Sequence, residues 1–402
     1  MVSPEFSIDQ ASARAFNLEL ASLRKEIMRS LSVADFHHLL KIQRWGRLCS
    51  FLGYATAWII PNPLSPLLMG LGNYTRWIVM HHVSHQGYDK VPEIPRAYTS
   101  QGFAKGMRRY VDWFDWMLPD AWAYEHNVLH HYNTGEVRDP DLVEVNADAL
   151  RKSNLPVPLR YVAVFFLACA WKFVYYAPTT LFYLKAFQNK TKGKSSPLTI
   201  MRSLFPFSVE GLELWVKCFL PYVAARFLLI PLAFFPLGKA AVIAVLINSI
   251  LAEIVANIYS FVMIIPNHTG SDIYAFDAPA NGNDEANIRQ IVGSVNYATG
   301  GDFNDFLHGW LNYQIEHHLW PELPMSKYAQ FNQRVKALCA KYQIPYVQES
   351  VFFRLKRTLD ILVGKTSMLR SDLLIQSENR EAPRTAHHHA SVSPPVGEAV
   401  MG

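Results

Sequence analysis

The sequence predicts an all-α integral membrane fold of about four transmembrane helices whose polar connections gather on one face, and three observations lead there. Half of the 402 residues are apolar and only 18% are charged, against the ~25% usual in soluble domains. The apolar residues fall in blocks, at about 48 to 80, 157 to 183, 214 to 235 and 240 to 265, comparable to the ~20 residues that a bilayer crossing needs. Long polar stretches separate the blocks, so the mean hydropathy of +0.04 averages two unlike environments. A small soluble module is excluded. Cys49, Cys169, Cys218 and Cys339 are scattered without C-x-x-C spacing, which argues against a disulfide framework or a cysteine zinc site. The net charge of +5, with no basic run interleaved with aromatics, gives nucleic-acid binding no support.

Residues 1–30 lack the apolar core of a secretory signal and read as an amphipathic or loose entry segment ahead of a membrane domain over 31–365. Pro61, Pro63 and Pro66 split the first block into a hairpin of two short helices, with Arg47 and Arg76 able to snorkel near their ends. The block at 214 to 235 carries Lys217 near its start and Arg226 near its middle, where a charge has to face protein or water. The block at 240 to 265 is the clearest span. Its Glu253 and Asn257 are expected to serve helix pairing or a substrate channel, with pairing favoured. Arg24, Lys25, Arg29, Lys41, Arg44 and Arg47 precede the first helix, and its turn PNPLSP is uncharged, which puts the N-terminus in the cytoplasm. Lys185, Lys190, Lys192, Lys194 and Arg202 likewise place the start of the last hairpin inside. The stretch at 157 to 183, with Lys172 in its middle, then cannot cross an odd number of times and is expected to lie in the interface. Residues 366–402 turn polar and rich in Pro and Ser and read as a disordered tail.

The fifteen histidines are informative through their placement. HHVSH supplies His81, His82 and His85 where the second helix leaves the membrane; HNVLHH supplies His126, His130 and His131; QIEHH supplies Gln314, His317 and His318 beyond the last helix. Four residues along an α-helix return to nearly the same side, so His81 with His85, or His126 with His130, can share one metal. Adjacent pairs point about 100° apart and suit two neighbouring metals. The topology delivers all three clusters to one membrane face, together with His268 in IIPNHTG. Imidazoles suit iron, copper, zinc or nickel, and no H-E-x-x-H offers a zinc protease its glutamate. His37, His38, His387, His388 and His389 read as inert, whereas His82 and His308 stay open between ligand, ligand-orienting partner and mere neighbour.

In this order and spacing the clusters resemble the three histidine boxes of the membrane fatty acid desaturases, H-x3-H, H-x3-HH and [HQ]-x2-HH. FLHGWLNYQIEHHLWPELP is similar to the last box of front-end acyl desaturases, and HHYNTGEVRDPDL to their second box with its Asp-Pro-Asp. The likeness runs from about His81 to Pro324. It implies a mushroom shape, four helices under a cytoplasmic helical cap, with a non-haem di-iron site. Carried over by motif, the iron ligands are His81, His85, His126, His130, His131, His317 and His318. His268 matches the additional ligand that the family places before the third box. Gln314 occupies a ligand or near-ligand position, Asn267 beside His268 reads as a ligand or a residue that orients one, and Asp139, Asp141 and Glu316 are expected to orient imidazoles or to pair on the surface. His82 stands where many relatives have Asp. No H-P-G-G of a fused cytochrome b5 occurs, so the resemblance implies a separate donor of ferredoxin or cytochrome b5 type.

Removing hydrogen from an unactivated methylene is beyond any side-chain acid or base, so no catalytic group is expected beyond the metal ligands, and dioxygen is the co-substrate. The resemblance implies an oxidoreductase that reduces O2 while placing a cis double bond in an acyl chain, one esterified in a membrane lipid being favoured. A di-iron hydroxylase, a ketolase or a sphingolipid-type desaturase would share these boxes. A metal transporter would carry its ligands within the spans, and a silent lipid-binding relative would not need intact boxes.

Overall fold

Asp9 accepts a hydrogen bond from the Ser12 amide at 2.9 Å and so starts α1 (Gln10–Arg29), whose Ala13, Phe16, Leu20, Leu23 and Ile27 recur every three or four residues and are its buried apolar face. The Ser32 amide donates to the Asp35 carboxylate at 2.8 Å and opens α2 (Val33–Ala57). After a Pro-rich turn the chain returns as α3 (Leu64–Ser84). Small residues let these two helices touch: a Cβ on Gly72 would sit 2.9 Å from the Gly46 carbonyl oxygen. The computed structural model describes residues 6–191, 203–371 and 374–376. Lys192, Lys194, Arg202 and His387 to His389, with the tail beyond residue 376, lie outside them.

The rest of the chain alternates polar connecting segments with long apolar helices. A helix over 119–133, α4, contains a π-helical stretch at Tyr124–His130. Among the described residues three helices are long and apolar enough to cross a membrane: α5 (Val157–Thr191), α6 (Val209–Leu237) and α7 (Lys239–His268). Five shorter helices follow: α8 (Asn283–Val292), α9 (Asp302–His308), α10 (Gln314–Leu319), α11 (Met325–Lys341) and α12 (Val351–Leu362).

This set of three differs from the expected four. α6 and α7 stand where spans are expected, but α5 belongs to the set and the hairpin of α2 and α3 does not. Its helices, of 25 and 21 residues, are long enough but not apolar enough to belong to it. The Asn248 amide donates to the carbonyls of Ala57 and Ile60 at 2.8 and 3.1 Å, and its oxygen accepts from the Asn62 amide at 3.2 Å. The turn therefore lies level with residue 248, roughly 13 Å along α7 from Lys239. α5, by contrast, has cap contacts toward both ends. Arg160 donates to the Val363 carbonyl at 2.9 Å and Tyr161 to Asp360 at 2.7 Å, while farther along Tyr176 accepts from Trp122 at 3.0 Å and Phe187 stacks on Tyr124.

Charges inside the apolar bundle are paired. Lys172, in the middle of α5, meets Asp115 at 3.0 Å with both side chains buried. Arg226 of α6 meets Glu253 of α7 at 3.3 Å, and Glu253 also accepts from Tyr222 at 2.5 Å and from Asn73 and Trp116 at 3.1 Å. The Asn257 oxygen accepts from the Lys172 amide at 3.1 Å, and its carbonyl accepts from Trp171 at 2.9 Å. Glu253 and Asn257 thus both bond between elements.

Two short pairings depart from a purely helical reading. Ile8–Asp9 pairs in parallel with Ile375–Gln376, and Tyr274–Ala275 with Leu369–Arg370. They hold residues assigned above to the tail, and Met368 and Leu374 are buried there. Two-residue strands have no alternation to read.

The Lys172–Asp115 pair generates a prediction. Lys172→Met should destabilise the chain by about 3–5 kcal/mol because Asp115 is left buried and unpaired, whereas Lys172→Met with Asp115→Leu should recover most of the loss. Thermal denaturation midpoints of the three proteins in one detergent check this.

Candidate metal centre

Four segments deliver the histidines. The last turn of α3 presents His81 and His82, with His85 immediately after it. The π-helical stretch of α4 carries His126 and His130 and leads straight into His131. His268 closes α7, and α10 carries Gln314, His317 and His318. A left-handed pair, Gly309 (φ 63°) and Trp310 (φ 59°), turns the chain into α10. It packs tightly on α3, since a Cβ on Gly309 would lie 2.6 Å from Ile78.

The ligand atoms fall into two main groups. His81, His85, His126, His131 and His317 have theirs all within 4.8 Å of one another, as do His130, His268 and His318. A third, overlapping set joins His126 and His130 to Asp141. The Nε2 atoms of His81 and His317 are 2.9 Å apart, and those of His126 and His81 3.1 Å. Gln314 Nε2 lies 2.8 Å from His268 Nε2. His81 and His85 share a group, and the adjacent pairs His130–His131 and His317–His318 are each split between groups, as the α-helical angles imply. His126 behaves otherwise. It joins the five-histidine group with His131, five residues on, because the π-helical register there brings i and i+5 to one side.

These residues fit metal ions. His85 Nε2, His318 Nε2 and both ring nitrogens of His131 are buried without a hydrogen-bond partner, and an unsatisfied buried polar atom costs about 1–3 kcal/mol. All-imidazole donors converging on shared points are what a borderline-soft transition metal takes. Burial also holds the imidazoles of His126, His131, His317 and His318 well below their usual pKa range, with neighbouring histidines adding to it, so each offers a neutral lone pair at pH 7. His130 goes the other way. Burial opposes its charge, but the charge and hydrogen bond of Asp139 together with the charge of Asp141 raise it.

Partners behind the rings fix which nitrogen faces inward. His130 Nδ1 donates to Asp139 at 2.8 Å, and Asp139 in turn accepts from the amides of Gly135 and Asp141. His318 Nδ1 lies 2.8 Å from the Gln290 oxygen and 3.2 Å from the Thr134 hydroxyl, while the Gln290 amide donates to the His131 carbonyl at 2.9 Å. His317 Nδ1 lies 3.2 Å from the Tyr328 hydroxyl, which donates onward to the Trp320 carbonyl. His268 Nδ1 faces the Gly293 carbonyl at 3.3 Å. In all four rings Nδ1 is occupied, leaving Nε2 to point into the groups. Trp122 stacks on His126 with ring centroids 4.6 Å apart.

The remaining flagged residues separate. Asp139 touches His130, and Asp141 lies 3.9 Å from its Nδ1. His82 stacks on His81 but belongs to neither main group, its Nε2 being 3.4 Å from the Gly309 carbonyl. His308 donates to the Asn304 carbonyl at 2.8 Å, Asn267 donates to the Leu311 carbonyl at 2.9 Å, and Glu316 accepts from Asn296 and Tyr346 at 2.8 Å. None of these three is in a histidine group. His38 packs edge-on against Trp310. Gln290, Thr134, Tyr328 and Trp122 escaped the sequence reading because they come from distant segments and from residue types with no metal signature. A cavity beside the groups is lined by His81, His126, His130, Asp141, His268 and Gln314 together with the apolar and aromatic Trp77, Val143, Trp171, Tyr176, Ile264, Ile265 and Leu311.

The sn-1 linoleoyl-lipid 6-desaturase of Synechocystis sp. is 25% identical over 275 residues, 67% of this chain and 70% of that protein. The acyl-lipid (8-3)-desaturase of Mortierella alpina is 22% identical over 258 residues, 60% of this chain and 53% of that protein. The NADPH-dependent stearoyl-CoA 9-desaturase of Mycobacterium tuberculosis is 34% identical over 98 residues, 24% of this chain and 22% of that protein. The chain thus spans about a fifth of the mycobacterial relative and about half of the fungal one. The family model for fatty acid desaturase matches residues 56–350, well over half of the sequence, and the chain belongs to that family.

Proposed function

We propose that the chain is an oxygen-dependent desaturase that places a double bond in a fatty acyl chain, with two iron ions held by His81, His85, His126, His131 and His317 and by His130, His268 and His318. The observation that carries this reading is the meeting of eight histidines in two adjoining groups beside an apolar-walled cavity. Iron held there would supply, with dioxygen and two electrons from a separate redox protein, the oxidising power that an unactivated methylene demands. The chain's own part is positioning. Asp139, Gln290, Thr134 and Tyr328 keep the Nδ1 atoms occupied and the Nε2 lone pairs aimed inward. Trp77, Trp171, Tyr176, Ile264 and Leu311 offer an acyl chain a dry, rigid wall against the histidines, and a small shift along that wall changes which carbon pair reacts.

Two acyl-lipid relatives favour a lipid-linked substrate over acyl-CoA. In the topology we favour, α6 and α7 cross the bilayer, the hairpin of α2 and α3 enters from the cytoplasmic side with its turn level with residue 248 of α7, and the cap with both chain ends stays on that side. α5 lies along the interface in this reading, supported by cap contacts toward both its ends.

Expression in a host with a simple fatty-acid profile, followed by mass spectrometry that locates double bonds, tests the reaction. A new unsaturated species is expected, and it should vanish with His317→Ala, His318→Ala. A gain of one oxygen without unsaturation would replace the desaturase by a hydroxylase. Metal analysis of purified protein should find two irons per chain.

Tyr328→Phe and Gln290→Leu keep every proposed ligand but loosen the rings behind them, so iron affinity should fall by about 10–100-fold. Iron remaining after graded chelator dialysis measures it, and unchanged retention would deny these residues an orienting role. Ile264→Trp narrows the cavity wall and should depress conversion of the longest acyl chains by at least about tenfold relative to shorter ones. Product ratios from mixed substrates read this out.

A further inference from the structure

A second polar cleft lies between α2 and α3, lined by Gln43, Arg47, Thr75, Arg76, Val111 and Asp112. The helices touch there, since a Cβ on Gly46 would meet the Thr75 methyl at 2.6 Å, so Arg47 and Arg76 sit next to that contact on neighbouring helices. Both are exposed, and among the described residues neither guanidinium has a hydrogen-bond or carboxylate partner. The one carboxylate in the cleft is engaged: Asp112 accepts from Arg108 at 2.9 Å and from the Ala104 amide at 3.0 Å. Gln43 accepts from Tyr98 through its oxygen, which leaves its amide N–H groups to donate, and the Thr75 hydroxyl donates to the Leu71 carbonyl. The cleft therefore holds an excess of positive charge and unused donors.

Its height follows from helix register. α3 runs parallel to α7, with Gly70 against Val255 and Tyr74 against Tyr259. Arg76 is then level with about residue 260, roughly 30 Å along α7 from Lys239, and a bilayer's hydrocarbon core is ~30 Å thick. Toward the hairpin turn the surface is apolar, with Leu48, Phe51, Leu52, Leu64 and Leu67 exposed, and beside the cleft Met107, Tyr110 and Val111 are exposed as well. An unpaired guanidinium pair at the rim of such a belt faces the phosphate layer of a membrane.

We propose that Arg47 and Arg76 clamp the phosphate of a membrane phospholipid in this cleft, with Gln43 as a further donor and the lipid's tails along the apolar face of the hairpin. The proposal rests on the membrane reading above but not on the desaturation chemistry.

The test compares the full-length chain with Arg47→Gln, Arg76→Gln and with Arg47→Lys, Arg76→Lys, all purified in detergent, by native mass spectrometry and lipid quantification. The wild type should retain a phospholipid, the glutamine variant should lose at least about tenfold of it, and the lysine variant should retain part, because charge without the bidentate fork binds phosphate less well. Dioctanoyl phosphatidylglycerol should raise the thermal midpoint of delipidated wild type but not of the glutamine variant, and inorganic phosphate should not substitute for it. Equal lipid retention by the glutamine variant, at unchanged iron content, would overturn the clamp. Equal stabilisation by inorganic phosphate would overturn the lipid assignment. Release of the wild-type chain from membranes by alkaline carbonate would overturn the membrane reading and the clamp with it.

Discussion

Neutral imidazoles crowded into a water-poor space set the terms for the rest of this structure. Lone pairs within about 3 Å of one another repel unless a proton or a cation stands between them, and His81 Nε2 has two such neighbours, His126 and His317. Four segments far apart in sequence must therefore be held together against that repulsion. The scaffolding is rigid where it matters. α3 and α7 run side by side and end together, so His81, His85 and His268 arrive at nearly one height. The left-handed turn at Gly309 and Trp310, pinned by the Tyr74 hydroxyl on the His308 carbonyl at 2.9 Å, brings α10 against them.

The apolar bundle solves a related problem by pairing. Lys172 and Arg226 would each be costly in a hydrocarbon environment, yet each meets a carboxylate, and the carboxylate of Glu253 is further held by Asn73, Trp116 and Tyr222. These bonds link α3, α5, α6 and α7 with the loop around Trp116. A charge in an apolar block is thus ambiguous in a sequence: it signals an interface, a water path or an internal partner, and only the partner's position decides. Lys172 counted from the sequence against α5 crossing the membrane, but its charge is balanced by Asp115, so the contacts of α5 with the cap carry the argument instead.

Much of the site was legible because metal-site chemistry demands rare residues at fixed spacings. All eight histidines singled out as ligands come together, and the splitting of adjacent pairs follows from the 100° step of a helix. Other features leave no such trace. The π-helical register that joins His126 to His131 depends on one extra residue in a turn, which no side-chain pattern announces. Gln290, Thr134 and Tyr328 are ordinary polar residues whose role arises only from distant segments meeting. The depth of the hairpin was hidden too, since it is set by which residue of α7 meets its turn, a matter of register between helices and not of apolar content.

Register also bears on which carbon atoms a bound acyl chain would present. His81 lies five residues beyond Arg76 on α3, roughly 7 Å farther along the helix. If the guanidinium pair marks the phosphate layer, the histidines stand beyond it and outside the hydrocarbon. A lipid-linked chain anchored at that layer then has to turn back upward to pass between the histidines and the wall of Trp171, Tyr176 and Ile264. The length of chain spent on that turn fixes the count from the ester to the reacting pair. The eight histidines would hold no information about that count, because they would meet only a methylene. Position would then be written in the height of the cavity above the lipid phosphates and in the shape of its lining.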